Sequence, residues 1–478
     1  MKIKNIFVCL LGAAVAVVAL SACDQTPQSA AGSYVTSLAS ISVPEYVSDV
    51  PGVTESMLGV GFWQHRLIDD LVRLSESQIH DLNAASFSSD PNMFQLDDFP
   101  SVMSKAEVVS LIDRVSQPAS SPRVFPDGRS VEPADYAELA QAVDREALPE
   151  DVAVQWGLVV ERVSMRSFPT QRRILKNIDD QDLDRFQETG AFPGQRLAIL
   201  HESADGEWWF AVNYHYAAWI PKRAVAVGER DEINRWFHKQ PRLTVTGAQV
   251  RTNFNPEEAR TSEVVLDMGV SLPLLSAADV GHNVHGQNPY ASHIVSLPVR
   301  GDSGNLEFEP TLIGRAQDVT PGKLEYHPSL VLQQAFKFLG ERYGWGHDYN
   351  GRDCTGFVGE VYKSFGILMP RNSGQQGSSG FAPTKRFAPE DHAARAEALE
   401  HLNVGDLIYI PGHVMMYIGE VDGEPYVIHD VTGLSYYRSD ESYYQGTLSG
   451  VSVTPLKPLQ LSKEKSFIDG IYAIKTII

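Results

Sequence analysis

Apolar residues recur along this chain with two periods, and the changes of period divide it. Between about 46 and 150 the spacing is helical. FWQHRLIDDLVRL (62–74) puts Leu67, Leu71 and Leu74 three to four apart, which predicts a helix there. SKAEVVSLIDRV predicts a second helix, with Ser104 as its cap and Glu107 three positions on. Residues 115–133, rich in Pro, Ser and Gly, read as a loop. From 151 to 318 the period shortens to that of strands. VAVQWGLVVE, QRLAILHE, EWWFAVNYHY and AAWIPKRAVAVG, then LTVTGAQVRT, GVSLPLLS, SHIVSLPVR and LEFEPTLIG, are short runs separated by turns. They predict two small β-barrels, over 151–230 and 243–318, with Trp208, Trp209 and Trp219 as core of the first.

From about 325 the pattern is mixed. SLVLQQAFKFLG (329–340) spaces Leu332, Ala335, Phe336 and Leu339 as one helix face and stops at Gly340. After Cys354, residues Phe357, Val358, Val361, Tyr362 and Phe365 make another face, ending near Gly366. Residues 371–400 read as a long polar loop. GDLIYIPGHVMMYIGEVDGEPYVIHDV (405–431) reads as a strand followed by a hairpin turning at Val421–Glu424.

The first residues have a different character. A basic MKIKN precedes the apolar IFVCLLGAAVAVVAL and then SAC, the layout of a secretory signal over 1–22. The apolar run is shorter than the ~20 residues of a spanning helix. Leu20-Ser21-Ala22-Cys23 resembles a bacterial lipobox, which implies lipid on Cys23 and a polar tether over 23–45. The expectation is a protein anchored to a membrane of the bacterial envelope.

Composition narrows the function. The 478 residues suggest three or four domains. A formal charge of −20 argues against nucleic acid, which needs a basic surface. Of three cysteines, Cys9 would leave with the signal and Cys23 would carry lipid. Cys354 is then the one thiol left, which rules out a disulfide within the chain. A lone thiol in an oxidising compartment is either buried and inert or kept for reactivity.

Its setting favours reactivity. With Asp353 as N-cap, Cys354 occupies the first turn of a helix, where the dipole favours a thiolate and free N–H groups can face an oxyanion. A base is also needed. The hairpin carries His413 at the start of one strand and His429 in its partner, enough for a base and a group that orients it. No His-x-x-x-His or paired-cysteine spacing supports zinc, and no cofactor is expected.

These pieces occur in an order that resembles the NlpC/P60 family of papain-like cell-wall cysteine peptidases. The matching residues are Tyr343-Gly344-Trp345-Gly346, Asp353-Cys354-Thr355-Gly356-Phe357-Val358 and Pro370-Arg371-Asn372-Ser373 with Gln376. Gly405-Asp406-Leu407, His413-Val414-Met415-Met416-Tyr417-Ile418-Gly419 and His429 follow. The resemblance implies that Cys354 attacks, His413 is the base and His429 orients it. Two positions depart from the family pattern: Thr355 stands where serine is usual, and His347 where a second glycine is frequent. RSFPT (166–170), EWWFAV and YAAWI resemble bacterial SH3-like domains.

The expected fold is therefore α+β: a papain-like domain over 325–478, preceded by two SH3-like barrels and a helical segment over 46–150. That order resembles the γ-D-glutamyl-L-diamino-acid endopeptidases. It implies peptidoglycan peptides with a free N-terminal L-Ala as substrates, and Asp353, Thr355, Ser373, Tyr343 and the barrel residue Tyr216 as their contacts. The rival readings are a same-fold amidase or acyltransferase, and a catalytically inactive wall-binding lipoprotein.

Overall fold

The computed structural model describes residues 44–71 and 73–477. The expected signal, most of the tether and Cys23 lie outside the described residues. From Ser48 onward the chain packs as one unit.

Helices run over Glu76–Ser89, Lys105–Val115 and Pro133–Val143. Ser104 caps the second reciprocally: its Oγ accepts from Glu107 N at 3.3 Å, and its own N–H donates to the Glu107 carboxylate at 2.8 Å. The stretch 62–74 departs from expectation, because the helix there ends at Gln64. Asp70 instead caps another helix, Pro328–Phe336, by accepting from Ser329 N at 2.8 Å and from the Ser329 hydroxyl. Arg73 N donates to Tyr326 O, Leu74 is buried and Leu71 stays exposed. A tertiary cap and a backbone pairing outweigh the weak helical preference of this stretch.

Seven antiparallel strands between Gln155 and Gly228 form the first barrel. Trp208 and Trp219 lie in its core. Trp209 takes the opposite face, where Lys222 Nζ sits 3.8 Å above its ring. The second sheet pairs Leu306–Gly314, Ser292–Arg300, Ser271–Leu275, Arg242–Val245 and Val319–Pro321 in that spatial order. It thus reaches Pro321, slightly past the expected boundary.

The C-terminal sheet has six antiparallel strands, with Leu407–Ile410, His413–Val421, Glu424–Tyr437 and Tyr443–Pro455 adjacent in that order. The helix Cys354–Ser364 lies on it, with Phe357, Val358, Val361, Tyr362 and Phe365 fully buried. The expected loop 371–400 contains two short helices, Ser373–Ser378 and His392–Leu399, and an edge strand, Thr384–Arg386. Local capping supplies what apolar periodicity does not: Asn372 N donates to the Gln375 side chain at 3.1 Å.

The three domains meet at Arg352, two residues before Cys354. Its guanidinium is fully buried and donates to Glu360 at 2.7 Å, to both oxygens of Glu341, and to Asp267 of the second barrel at 2.6 Å. Arg162 of the first barrel donates to the other Asp267 oxygen at 3.0 Å. Removing one partner of a buried pair leaves an uncompensated charge. Asp267→Asn is expected to cost about 3 kcal/mol of unfolding free energy, measured by denaturant titration; an unchanged midpoint would contradict this account of the junction.

Arg162 also donates to the carbonyls of His347 and Gly351, gripping the loop that leads to the nucleophile. That loop is strained: Gly346, His347, Tyr349 and Asn350 all have φ between 53° and 68°. The barrel holds it in place, with Gln187 Nε2 donating to Gly346 O at 2.7 Å and Trp345 Nε1 to Gln187 O at 3.1 Å.

Candidate active site

Asp353 opens the nucleophile helix as its N-cap, accepting from Gly356 N at 2.8 Å. The N–H groups of Cys354 and Thr355 have no hydrogen-bond partner among the described residues. They are placed to face an oxyanion formed at the cysteine. The thiol is buried, and the N–H of Val414 points at it.

Across the hairpin, His413 Nε2 lies 2.8 Å from His429 Nδ1, and His429 Nε2 lies 3.0 Å from Thr454 Oγ1. Two proton arrangements satisfy these contacts, and one of them leaves a base facing away from His429. If His429 Nε2 donates to Thr454, its Nδ1 is bare and accepts from His413 Nε2–H. His413 Nδ1 is then left without a proton, free to take one from the thiol. Thr454 had no signal in the sequence; the pairing of Glu424–Tyr437 with Tyr443–Pro455 brings it there.

Burial decides the resting protonation. It pushes the Cys354 thiol up to about 12 and the His413 imidazole down to about 4. The free site holds a neutral thiol and a neutral imidazole. No hydrogen bond joins Cys354 to His413, so proton transfer has to accompany attack on a substrate.

Thr355 and Asp353 take up partners inside the protein. Burial alone would raise the Asp353 carboxyl, but the Arg371 guanidinium outweighs it and holds the group well below the usual carboxylate range. Arg371 donates to both Asp353 oxygens, at 3.1 and 2.7 Å, and to Thr355 Oγ1 at 2.5 Å. Gly346 N and the Thr355 hydroxyl add 3.0 Å donations to the same carboxylate. A substrate amine would have to share Asp353 with all of these.

The less committed carboxylate is Glu188, on the barrel strand Gln187–Ala191. Tyr216 donates to it at 2.5 Å, and Arg371 lies close enough to pull its charge. Burial nevertheless carries the Glu188 carboxyl up to about 7. Glu188, a single charged residue in a barrel strand, carries no signal in the sequence, and Arg371 carries none for its role although it stands in the Pro370–Ser373 motif. Of the remaining expected contacts, Tyr343 is buried beside Asp353 and Cys354, with its hydroxyl unpartnered among the described residues. Ser373 begins a short helix and is partly exposed.

His347 explains its own departure from the family pattern. Its Nδ1 accepts from Gly190 N of the barrel at 3.2 Å, which leaves Nε2–H to donate to Glu360 at 3.1 Å. It bridges the barrel and the nucleophile helix.

Residues 340–453, which include Cys354, His413 and His429, match the NlpC/P60 family model. The chain carries an NlpC/P60 domain. Residues 173–221, with Glu188 and Tyr216, match the SH3 domain model of SH3b1 type. The γ-D-glutamyl-L-lysine dipeptidyl-peptidase of Bacillus cereus is 28% identical over 254 residues, 49% of this chain and 65% of that protein. The bifunctional muramidase/DL-endopeptidase CwlT of Bacillus subtilis is 24% identical over 241 residues, 48% of this chain and 64% of that protein. The chain thus spans less than two thirds of the length of these curated relatives. An NlpC/P60 endopeptidase from Photobacterium damselae subsp. piscicida shares the fold with a TM-score of 0.68, over 91% of this chain and 98% of that one at 15% identity.

Proposed function

We propose that the chain is a cysteine peptidase that cleaves the γ-D-glutamyl–diamino-acid bond of peptidoglycan peptides with a free N-terminal L-Ala. Cys354 attacks the γ-carbonyl as His413 Nδ1 takes its proton. The tetrahedral oxyanion faces the N–H groups of Cys354 and Thr355. His413 then gives the proton to the leaving amine, and water, activated by His413, releases the acyl group. The same reading places the protein in the bacterial envelope, anchored through lipid on Cys23.

The observation that carries the substrate choice is Glu188 with Tyr216, a carboxylate that the barrel presents beside Arg371 and Asp353 at the nucleophile's end of the helix. Such a carboxylate suits a cationic amine. The names of both curated relatives, one a γ-D-glutamyl-L-lysine dipeptidyl-peptidase and the other a DL-endopeptidase, support this bond class.

L-Ala-γ-D-Glu-diaminopimelate peptides with free and acetylated N-termini, read by mass spectrometry, test the proposal. Free peptides should release L-Ala-D-Glu, and acetylated ones should react about 10–100-fold more slowly, the range for losing one charged hydrogen bond. Equal rates would remove the amine site; no L-Ala-D-Glu from either would remove the peptidase. Glu188 has to be ionised to hold the amine, so kcat/KM on free peptides should fall below pH about 7 and stay flat there in Glu188→Gln.

A further inference from the structure

Asp430 follows His429 on the strand Glu424–Tyr437, and consecutive strand residues point to opposite faces. His429 turns to His413. Asp430 takes the face of Ile428, which packs with the nucleophile helix. It is fully buried, and neither carboxylate oxygen has a hydrogen-bond partner among the described residues. A buried polar group left without a partner calls for a reason.

Ile428, on the same face, shares its core cluster with Cys354. The charged and titratable groups near enough to act on Asp430 are Glu341 and Tyr343, before the strained loop, and Arg352, Asp353 and Cys354, at the start of the nucleophile helix. Arg352 does not donate to it, because its guanidinium is spent on Glu360, Glu341, Asp267 and the carbonyl of Ala248. Asp353 and Glu341 add negative charge to the same space. Burial first, then these carboxylates, carry the Asp430 carboxyl up to about 9, against the pull of Arg352. At neutral pH it therefore keeps its proton.

We propose that Asp430 is a positioning residue for the nucleophile: a carboxyl that has to stay protonated for Cys354 to form its thiolate. This rests on the reading of Cys354 as the attacking group. When the thiol proton passes to His413, the sulfur gains a negative charge in a closed pocket. A neutral Asp430 tolerates that charge; an ionised one repels it. The residue makes an alkaline shut-off that belongs to neither histidine.

The test uses site-specific alkylation of the full chain by iodoacetamide from pH 6 to 11, read at the peptide containing Cys354, beside hydrolysis of the free peptide. In the native protein Asp430 ionises before the thiol and delays it. Asp430→Asn, which keeps the shape and removes the charge, should raise the alkylation rate of Cys354 at pH 10–11 by about tenfold. Its hydrolysis rate at pH 7 should stay within about threefold of the native rate, with the native decline above pH 9 abolished. Asp430→Ser, also uncharged, should shift alkylation in the same direction, which keeps the test open if the asparagine variant melts early. Unchanged alkylation rates at pH 10–11 in both variants would overturn the proposal and leave Asp430 a packing residue. Alkylation needs no peptide, so that failure is distinct from a wrong choice of substrate.

Discussion

Cys354→Ala should lose peptide hydrolysis by about 10⁴-fold or more, His413→Ala should lose nearly as much, and the double variant should be no worse than the single ones. The reason lies in the resting state. The free thiol is held near 12 and the imidazole near 4, so neither is reactive alone. A thiol with no base and a base with no thiol fail at the same step, and their losses cannot add. Because Cys354 shares no hydrogen bond with His413, the melting temperature of Cys354→Ala should stay close to the native value, whereas His413→Ala, which takes the donor from buried His429 Nδ1, should melt lower. Initial rates by chromatography decide the matter. Losses that multiply in the double variant would mean that the two residues act at separate steps.

Arg371→Met should be the most destabilising single change near the site. The guanidinium is almost fully buried and gives two hydrogen bonds to Asp353, one to Thr355 and one to Thr189 of the barrel, the last at 2.7 Å. Without it Asp353 is a buried charge without its counter-ion, at a cost of about 3–5 kcal/mol. The sign of the pH dependence follows. The folded Asp353 carboxyl is depressed, so its contribution is fully present above the unfolded value of about 4 and is lost as pH falls toward the folded value. The gap in stability between native and Arg371→Met should therefore be widest at neutral pH and shrink in strong acid. Urea titrations at several pH values measure it; a gap that grows with acidity would contradict the pairing.

How far the sequence could be read depends on how local each signal was. Cys354 lay in a helix with a recognisable cap and a clean apolar face, and a hairpin turn of Asp-Gly type set His413 and His429 on neighbouring strands. The SH3-like and NlpC/P60 domains were legible for the same reason. Glu188, Arg371, Thr454 and Asp430 were not, because what they do depends on residues 16 to 183 positions away, and no local periodicity encodes that. The stretch 62–74 failed in the opposite way: its spacing is helical, but Asp70 is committed to a helix more than 250 residues on. At Thr355 the sequence shows a departure from the family pattern but not its cause. Its hydroxyl joins Arg371 to Asp353, so the serine-like oxygen is what the position needs, and the extra methyl is accommodated in the buried turn.

Gly190 and His347 carry a consequence for how such chains can diverge. A Cβ on Gly190 would come within 2.9 Å of the His347 side chain. The imidazole fits between barrel and helix only because position 190 offers a bare backbone N–H. These two sites, 157 residues apart, cannot drift independently. A descendant that gains any side chain at 190 has first to shrink the residue at 347 and to shift Phe192, whose ring would lie 3.1 Å from the new Cβ. Among related sequences the pair should change together, or not at all.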